Sequence, residues 1–310
     1  MISPEEEWDT LIPRTLHYCF GLSPNFGGKP WSLVHYVCLK SAVERIRPTE
    51  VFFYCEYEPS GPWWELTRPM VTLKKIEAPR EIFGNPILHP AHRADVVRLE
   101  TLIAFGGIYL DADVFVHSSF DPLLSHSVVM GEQYTYGNFD GLCNAVILGE
   151  KDAPFLKRWY AEYRSFRSKG RDEFWGEHPV LVPGRLAQQF PAEIKVLPHT
   201  AFFWPTYSGA DQAKVFRSRE PIDLQGAYAT HLWEQAAWER YLDQLTPRRV
   251  RAVDCNFHYW ARPMLAGLPD DYAAPTVAER AARAARLARW LGRRAVGRFS
   301  RECRALLKAA

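Results

Sequence analysis

No run of about 18 consecutive apolar residues occurs in this sequence of 310 residues, so no helix is expected to cross a membrane. The first residues, Met1-Ile-Ser-Pro-Glu-Glu-Glu7, are acidic and polar, unlike a signal peptide. The six cysteines are scattered without a Cys-x-x-Cys pair, which argues against a zinc site or a disulfide framework and favours reduced thiols. Together these absences predict a cytoplasmic protein.

A strong excess of charge is also missing, except at the C-terminal end. Residues 277–310 contain ten basic and two acidic residues, a net charge of +8, whereas the whole chain carries +2. Residues 1–276 therefore carry −6. Because the basic charge is confined to one end of the chain, we do not expect a nucleic-acid partner.

The basic C-terminal segment has the composition of a helix, since alanine and arginine are strong helix formers. Its apolar stripe consists of Leu287, Trp290, Leu291, Phe299 and Leu306. Arginines beside an apolar stripe are typical of a helix that lies on an anionic membrane. This interpretation predicts peripheral attachment to the inner face of the plasma membrane. A helix packed on the domain with a solvated basic face fits the sequence equally well.

Strands and helices are expected to alternate along the rest of the chain. Residues 12–57 predict a strand, a helix and a second strand at Val51–Cys55. Further strands are predicted at Val71–Ile76, Ile108–Leu110, Val128–Met130 and Ala145–Leu148. Helices are predicted at Ala91–Phe105 and Pro154–Arg167, and residues 168–225 are loop-rich. This alternation predicts an α/β fold with a mainly parallel sheet.

The chain is expected to divide near its C-terminal end. Residues 266–276 have the composition of a linker, with glycine, prolines and aspartates. We therefore predict one domain over residues 1–265, a linker over 266–276 and a basic amphipathic helix over 277–310. No internal repeat is found.

Two aspartates follow a short apolar strand in the segment Phe105-Gly-Gly-Ile-Tyr-Leu-Asp-Ala-Asp-Val-Phe115. In an open α/β sheet, ligands gather outside the carboxyl ends of the strands, which is where Asp111 and Asp113 are expected. No Lys or Arg lies within five positions of either aspartate. Carboxylates in an incomplete shell suit Mg²⁺ or Mn²⁺. The alternative is a pair of solvated aspartates at a strand end.

The helix predicted before this strand carries polar side chains on one line. It follows Pro90 and ends at a glycine pair, both of which suit helix ends. His92, Asp95 and Arg98 are three residues apart, so their side chains stack along one face. We interpret them as contacts for a polar ligand held beside the two aspartates. The alternative is a surface ion pair between Asp95 and Arg98.

These two segments together resemble a known family. The pattern Ala94-Asp95-x-x-Arg98, then Gly106-Gly107-Ile108-Tyr109-Leu110-Asp111-x-Asp113, is similar to the sugar-binding region of the family 32 glycosyltransferases with a DXD motif. That family includes yeast Golgi mannosyltransferases and bacterial capsular-polysaccharide transferases. Weaker similarity covers most of residues 11–260. The resemblance implies a GT-A-like fold, a single Rossmann-type domain that binds a nucleotide sugar through a mainly parallel mixed sheet.

The resemblance also implies roles for individual residues. The expected metal ligands are Asp111, Asp113 and His231, with Mn²⁺ or Mg²⁺ as the metal. The expected contacts with the donor, at its sugar and ribose, are Asp95, Arg98, Tyr109, Asp111 and Asn144. The expected catalytic residues are Asp95, Arg98, Asp111 and Asp113. For His231, the alternative is a packed, hydrogen-bonded core histidine.

Three further residues are expected to contact substrate. Phe20 stands where the first strand of the family usually carries a Trp, so base stacking is expected there. His178 belongs to His178-Pro179, which replaces the family's Gly-Pro at the side where the acceptor is expected. Trp238 follows the His-x-Trp segment and is expected to close over the donor and exclude water.

The resemblance implies a metal-dependent, retaining glycosyltransferase that moves a sugar from a UDP- or GDP-sugar to a glycan or lipid-linked acceptor. A role in bacterial surface-polysaccharide synthesis is expected. Two other classes remain open. One is a haloacid-dehalogenase-type phosphohydrolase with Asp111 as nucleophile and Asp113 as acid, although Phe115 stands where that class has Thr or Val. The other is a sugar-binding module without turnover.

Overall fold

The computed structural model of the protein describes residues 10–292, which form a layered α/β structure. Its strands are β1 (Thr15–Cys19), β2 (Glu50–Cys55), β3 (Thr72–Lys75), β4 (Glu81–Ile82), β5 (Asn85–Pro86), β6 (Gly107–Leu110), β7 (Val114–Val116), β8 (Val128–Thr135), β9 (Asn138–Gly149), β10 (Lys195–Leu197) and β11 (Ala229–His231). Its α-helices are α1 (Leu33–Ile46), α2 (Pro62–Thr67), α3 (Pro90–Phe105), α4 (Pro154–Glu162), α5 (Val182–Gln189), α6 (Gly209–Phe216), α7 (Glu234–Ala237), α8 (Pro247–Ala252), α9 (Asn256–Ala261) and α10 (277–292). Two π-helical turns also bear on the site, Glu177–Leu181 and Trp238–Leu242.

Seven strands form the main sheet, in the order β10–β8–β9–β6–β1–β2–β3. Strands β6, β1, β2 and β3 pair in parallel, as do β10 and β8, whereas β9 runs antiparallel to both of its neighbours. This mixed, mainly parallel sheet confirms the fold class expected from the sequence. Two small antiparallel sheets, β4–β5 and β7–β11, complete the strand pairing within residues 10–292.

Strands β8 and β9 form a long hairpin, and both strands are longer than the sequence predicted. Tyr136 and Gly137 connect them, with φ of 49° and 85°. Two successive residues with positive φ are the geometry of a tight hairpin turn, and glycine adopts it without strain. The predicted strands at Val128–Met130 and Ala145–Leu148 are the buried ends of this hairpin. Its outer part extends the sheet towards solvent.

The main sheet is covered on both faces, which explains why its central strands are apolar throughout. Ile108 and Leu110 of β6 pack in the core cluster that contains α1, whereas Tyr109 packs in the cluster that contains α3 and α4. In β9, Val146 and Leu148 face the first cluster and Ile147 the second. Successive side chains of a strand point to opposite faces, so every position here is buried.

The predicted site helix is confirmed, because α3 covers Pro90–Phe105. Its His89 side chain accepts a hydrogen bond from the amide of Ala91 at the start, and Gly106 with φ of 65° ends it. The predicted helix at Pro154–Arg167 is shorter than expected, since α4 stops at Glu162. A 3₁₀ turn, Tyr163–Ser165, continues from it.

The segment before α10 rests on the domain. The hydroxyl of Tyr272 donates to the carbonyl of Pro62 at 2.8 Å, and its ring meets that of Trp63 edge to face. Thr276 and Glu279 exchange the reciprocal hydrogen bonds of a capping box, so α10 begins there. The domain boundaries stay a prediction. None of the helices in residues 10–292 combines the length and the hydrophobicity that a membrane crossing requires.

Candidate active site

The two aspartates lie between two strands of different sheets. Asp111 follows β6, and its amide donates to the carbonyl of Ala145 in β9 at 2.8 Å. Asp113 immediately precedes β7. Because β7 pairs antiparallel with β11, His231 lies opposite Val114, next to Asp113. The chain therefore brings a distant histidine to the motif through backbone pairing.

The side chains of Asp111, Asp113 and His231 form one cluster. One ligand atom from each lies within 4.8 Å of the others. His231 Nε2 is 3.3 Å from Asp113 Oδ2, and His231 Nδ1 is buried without a hydrogen bond of normal geometry to any residue in 10–292. Two carboxylates and an imidazole at this spacing fit a divalent cation. The three residues predicted as metal ligands are thus brought together.

Electrostatics within the cluster favour the charged forms of Asp113 and His231 but not of Asp111. Burial alone would raise the pKa of Asp113, but His231 and the amide of Glu234 outweigh it and hold that pKa well below its usual range. Burial alone would lower the pKa of His231, but the neighbouring Asp113 outweighs burial and raises that pKa well above its usual value. The pKa of Asp111 is raised, chiefly by burial, although Arg98 opposes this. A divalent cation at the cluster would favour the ionised form of Asp111.

Asp113 is fixed by the chain that follows His231. The amide of Glu234 donates to Asp113 Oδ2 at 2.6 Å. Glu234 in turn binds His35 Nε2 at 2.9 Å and Lys29 Nζ at 3.1 Å. The amide of Glu234 therefore orients the carboxylate of Asp113, and Lys29 and His35 hold the side chain of Glu234 in turn.

Arg98 is buried and contacts both Asp95 of its own helix and Asp111 of the cluster. Its guanidinium lies 3.4 Å from Asp95 Oδ1 and 3.2 Å from Asp111 Oδ1, and it donates to the carbonyl of Asn144 at 2.5 Å. It also lies over the ring of Tyr109, 4.5 Å from the centroid. Asp95 and Arg98 are each 4% exposed. The alternative of a surface ion pair is therefore wrong.

Both carboxylate oxygens of Asp95 have hydrogen-bond partners. Its Oδ1 accepts from Asn144 Nδ2 at 2.7 Å, and its Oδ2 lies 3.0 Å from His92 Nδ1. His92 reaches Ser168 with its other nitrogen, at 3.1 Å. Burial alone would raise the pKa of Asp95, but Arg98 and His92 outweigh it and lower that pKa. This carboxylate is therefore ionised and fixed in orientation.

These groups line one cavity of about 730 Å³. Its walls include Lys29, His92, Asp95, Arg98, Asp111, Asp113, Gln133, Thr135, Asp140, Asn144, Trp175, Tyr207, His231, Trp233 and Glu234. The indole of Trp175 packs on His92, and that of Trp233 packs on His231 with ring centroids 4.2 Å apart. Aromatic walls with convergent charged groups are typical of a site for a polar organic ligand.

Four predicted contact residues do not line this cavity. Tyr109 is buried beneath it and donates its hydroxyl to Asp111 Oδ1 at 2.9 Å. Phe20 stacks on Phe26 and meets the edge of Trp31. Their assignment to substrate contact stays a prediction.

The other two lie deeper in the core. His178 is buried against the ring of Tyr163, although its neighbour Pro179 lines the cavity. Trp238 is buried and stacks on His35, with ring centroids 6.2 Å apart. These two assignments to substrate contact also stay predictions.

Several cavity residues were not found from the sequence. Glu234 carried a signal, since it directly follows the His-x-Trp segment. Trp175 lies in an irregular loop, where neither periodicity nor spacing marks a side chain as facing a site. Asp140 and Tyr207 come from a hairpin and a loop that meet only in the folded chain.

The sequence is similar to that of several known proteins. A family model described as "Glycosyltransferase sugar-binding region containing DXD motif" matches residues 67–130. The chain is 36% identical over 271 residues to "Glucan organizing enzyme 1" of Cryptococcus neoformans, covering 84% of this chain and 72% of that protein. It is also 30% identical over 178 residues to an uncharacterized protein of Arabidopsis thaliana, covering 56% of this chain and 24% of that protein.

Solved structures were compared as well. The galactosyltransferase LgtC in complex with donor and acceptor sugar analogs is similar with a TM-score of 0.42 and 15% identity, over 84% of this chain and 99% of that chain.

Proposed function

Because this chain belongs to the glycosyltransferases whose sugar-binding region contains the DXD motif, we propose that it transfers a sugar from a nucleoside diphosphate sugar with the help of a divalent cation. The observation that carries the proposal is the cluster of Asp111, Asp113 and His231 beside the buried Asp95–Arg98 pair. It supports a donor bound with its diphosphate at the cluster and its sugar at the pair.

The cluster suits Mn²⁺ or Mg²⁺, since two of its three groups are carboxylates. Bound there, such an ion supplies Lewis-acid stabilisation of the diphosphate leaving group. The protein contributes orientation: Glu234 fixes Asp113, and Tyr109 with Arg98 fixes Asp111.

The sugar-binding part of the site is a preorganised set of hydrogen-bond partners. Asp95 is an ionised acceptor held by His92 and Asn144. Arg98 offers donors whose orientation is fixed by two carboxylates. Preorganised polar groups in a buried site stabilise charge without reorganising during the reaction. We therefore assign these residues to the hydroxyls of the transferred sugar.

We place the acceptor at the hairpin end of the cavity. Asp140 precedes Asn144 by four residues of β9, about 13 Å of strand, which leaves room for a sugar between them. Asp140 accepts a hydrogen bond from Thr135, whose hydroxyl also lies 2.6 Å from that of Tyr207. No Lys, Arg or His nitrogen within residues 10–292 lies within 4 Å of the Asp140 carboxylate. It is therefore available to the hydroxyls of an acceptor glycan.

Retention of anomeric configuration is the proposed stereochemical course. An inverting transferase needs a base opposite the leaving group. The groups nearest the proposed donor, Asp95, Asp111 and Asp113, are already engaged by Arg98, His92 or Glu234. Proton NMR of the first product formed is the test, with an α-linked product expected from an α-linked donor. A β-linked product would contradict retention.

The central test is thermal unfolding with nucleotides. UDP or GDP with Mn²⁺ is expected to raise the Tm of the native protein, and Asp113→Asn is expected to abolish this shift, because ligands stabilise the state they bind. Asp223→Asn, an exposed aspartate outside the cavity, is the matched control and should keep the full shift. If nucleotide and Mn²⁺ raised the Tm of both variants equally, Asp113 would not be a metal ligand.

The same preparations decide between reaction classes. A phosphohydrolase needs a free Asp111, but its Oδ1 is engaged by Tyr109 and Arg98. We expect sugar release from nucleotide sugars and no hydrolysis of p-nitrophenyl phosphate. Since the name of the Cryptococcus relative connects that protein with glucan, glucan fragments are the first acceptors to try. A role in surface-polysaccharide synthesis within the cytoplasm remains part of the proposal.

A further inference from the structure

The helix α10 turns one face to the domain and the opposite face to solvent. Arg283 and Arg286 pair with Asp243, whose side chain is buried, at 3.6 and 2.7 Å. Leu287 and Trp290 on the same side are partly buried. An ion pair anchored in a buried carboxylate fixes the rotation of the helix about its axis. The described part of the basic segment is therefore packed on the domain.

The outward face of α10 is apolar. At 100° per residue, the positions opposite Arg283 and Trp290 are mostly alanines. The exposed alanines on this face are Ala278, Ala281, Ala285 and Ala288. Val277 is 78% exposed and Leu291 is 52% exposed near the two ends of the described helix. A helix face of this kind has no partner within residues 10–292.

Exposed arginines border this apolar face. Arg280 and Arg289 are exposed on its two sides, and neither has a carboxylate within 4 Å among residues 10–292. Arg248 and Arg249 of α8 are exposed beside Arg280 and share a cavity of about 660 Å³ with it.

Two carboxylates belong to the same cavity. Asp270 is paired with Arg251, and Asp271 is the other acidic group. The remaining arginines leave an excess of positive charge along this edge of the helix. This edge differs from most of the chain, since residues 1–276 as a whole carry a net charge of −6.

We propose that the outward face of α10, together with Arg248, Arg249, Arg280 and Arg289, docks on the anionic surface of a phospholipid bilayer. We call this set the tail surface. An apolar helix face bordered by arginines buries its methyl groups at the headgroup boundary while the guanidinium groups pair with lipid phosphates. The chain attaches reversibly, and Asp243 keeps the helix bound to the domain while its outer face meets the lipid.

Vesicle sedimentation of the full-length chain tests this proposal without donor or acceptor, so its outcome is independent of the transferase assay. The protein should sediment with vesicles of phosphatidylcholine and phosphatidylglycerol, and not with phosphatidylcholine alone. High salt should release it, because surface electrostatics are screened. The double variant R280E/R289E should bind at least about tenfold more weakly, since each basic residue near an anionic surface contributes about fivefold.

A matched pair separates a local surface from net charge. K151E/K195E changes the total charge by the same amount at two exposed lysines outside the tail surface, and it should sediment like the native protein. R280Q/R289Q, which only neutralises the two groups, should give an intermediate loss. Equal loss in K151E/K195E, unchanged binding of R280E/R289E, or no sedimentation of the native chain would each overturn the proposal.

Discussion

Arg98 contacts one carboxylate in each half of the site. Asp95 belongs to the proposed sugar contacts and Asp111 to the metal cluster, and the guanidinium lies within 3.4 Å of both. A planar guanidinium with several donors can serve two acceptors at once, which the ammonium of lysine does less well. Arg98 therefore sets the distance between the carboxylates of Asp95 and Asp111.

The variant Asp140→Asn distinguishes the proposed acceptor contacts from the proposed donor contacts. Loss of a charged hydrogen-bond acceptor should raise the acceptor KM by about tenfold or more. Sugar release to water and Mn²⁺-dependent nucleotide binding should stay at native levels, because Asp140 does not contact the metal cluster. Initial rates with glucan fragments and p-nitrophenyl glycosides measure the first effect, and thermal shift measures the second. A lost thermal shift would assign Asp140 to the donor or to folding instead.

The residues predicted to contact the donor could be proposed from the sequence because they are local. Asp95 and Arg98 are spaced on one helix, and Asp111 and Asp113 follow one strand, so a short pattern carries them. His231 and Asn144 came from the family resemblance. Trp175 and Asp140 depend on where a loop and a hairpin fold back, which no spacing along the chain encodes.

At the scale of elements, the hairpin β8–β9 and the π-helical turn Glu177–Leu181 build the cavity wall together. Gly141 of β9 has a φ of +145°, and a Cβ there would lie 2.2 Å from the carbonyl oxygen of Val180. The two backbones thus touch where only glycine fits. Pro179, Val180 and Leu181 line the cavity from this turn. The close backbone approach determines the width of the cavity.

Gly141→Ala should therefore both destabilise the fold and change the cavity. The strained backbone and the clash together should lower the free energy of unfolding by at least about 2 kcal/mol. Displacement of the turn should also raise the acceptor KM. Urea denaturation measures the first effect. Gly209→Ala, where an added methyl group meets nothing within 4 Å, is the control and should stay within about 0.5 kcal/mol of the native protein.

The predictable elements were those with strong local signals. Helix α3 has a proline at its start and a glycine at its end, and β2 is a run of β-branched and aromatic residues. Only the buried ends of the β8–β9 hairpin were predicted, because its turn is Tyr136-Gly137 and the outer parts of its strands are polar. Helices α5 and α6 lie in residues 168–225, where short elements depend on packing more than on periodicity.

At the scale of the whole molecule, buried neutral histidines couple folding to pH. His17 lies in β1, with Nε2 2.8 Å from the carbonyl of Gly106 and Nδ1 3.2 Å from the hydroxyl of Tyr54. Burial lowers the pKa of His17 to about 4, against the Gly106 contact. The pKa of His117 is also lowered to about 4, chiefly by burial. Between pH 6.5 and 4 the unfolded chain thus binds more protons than the folded one.

The native protein should accordingly lose stability as the pH falls below about 6.5. For His17 alone the loss between pH 7 and pH 5 is about 2 kcal/mol. His17→Gln keeps a side chain able to hydrogen bond and removes this titration, so its stability should fall less steeply over the same range. Urea denaturation at several pH values gives the two slopes. Parallel pH profiles for the two proteins would contradict the low pKa of His17.

The segments that fix Asp113 have a consequence for the growing chain. Asp113 and its partner Glu234 are 121 residues apart, and Glu234 and its partner Lys29 are 205 residues apart. During translation the chain emerges from its N-terminal end, so both aspartates leave the ribosome long before His231 and Glu234. Until those residues emerge, Asp111 and Asp113 lack the neighbouring imidazole of His231, and Asp113 lacks its orienting amide. The arrangement of Asp113, Glu234 and Lys29 therefore forms only after residues 231–234 have left the ribosome.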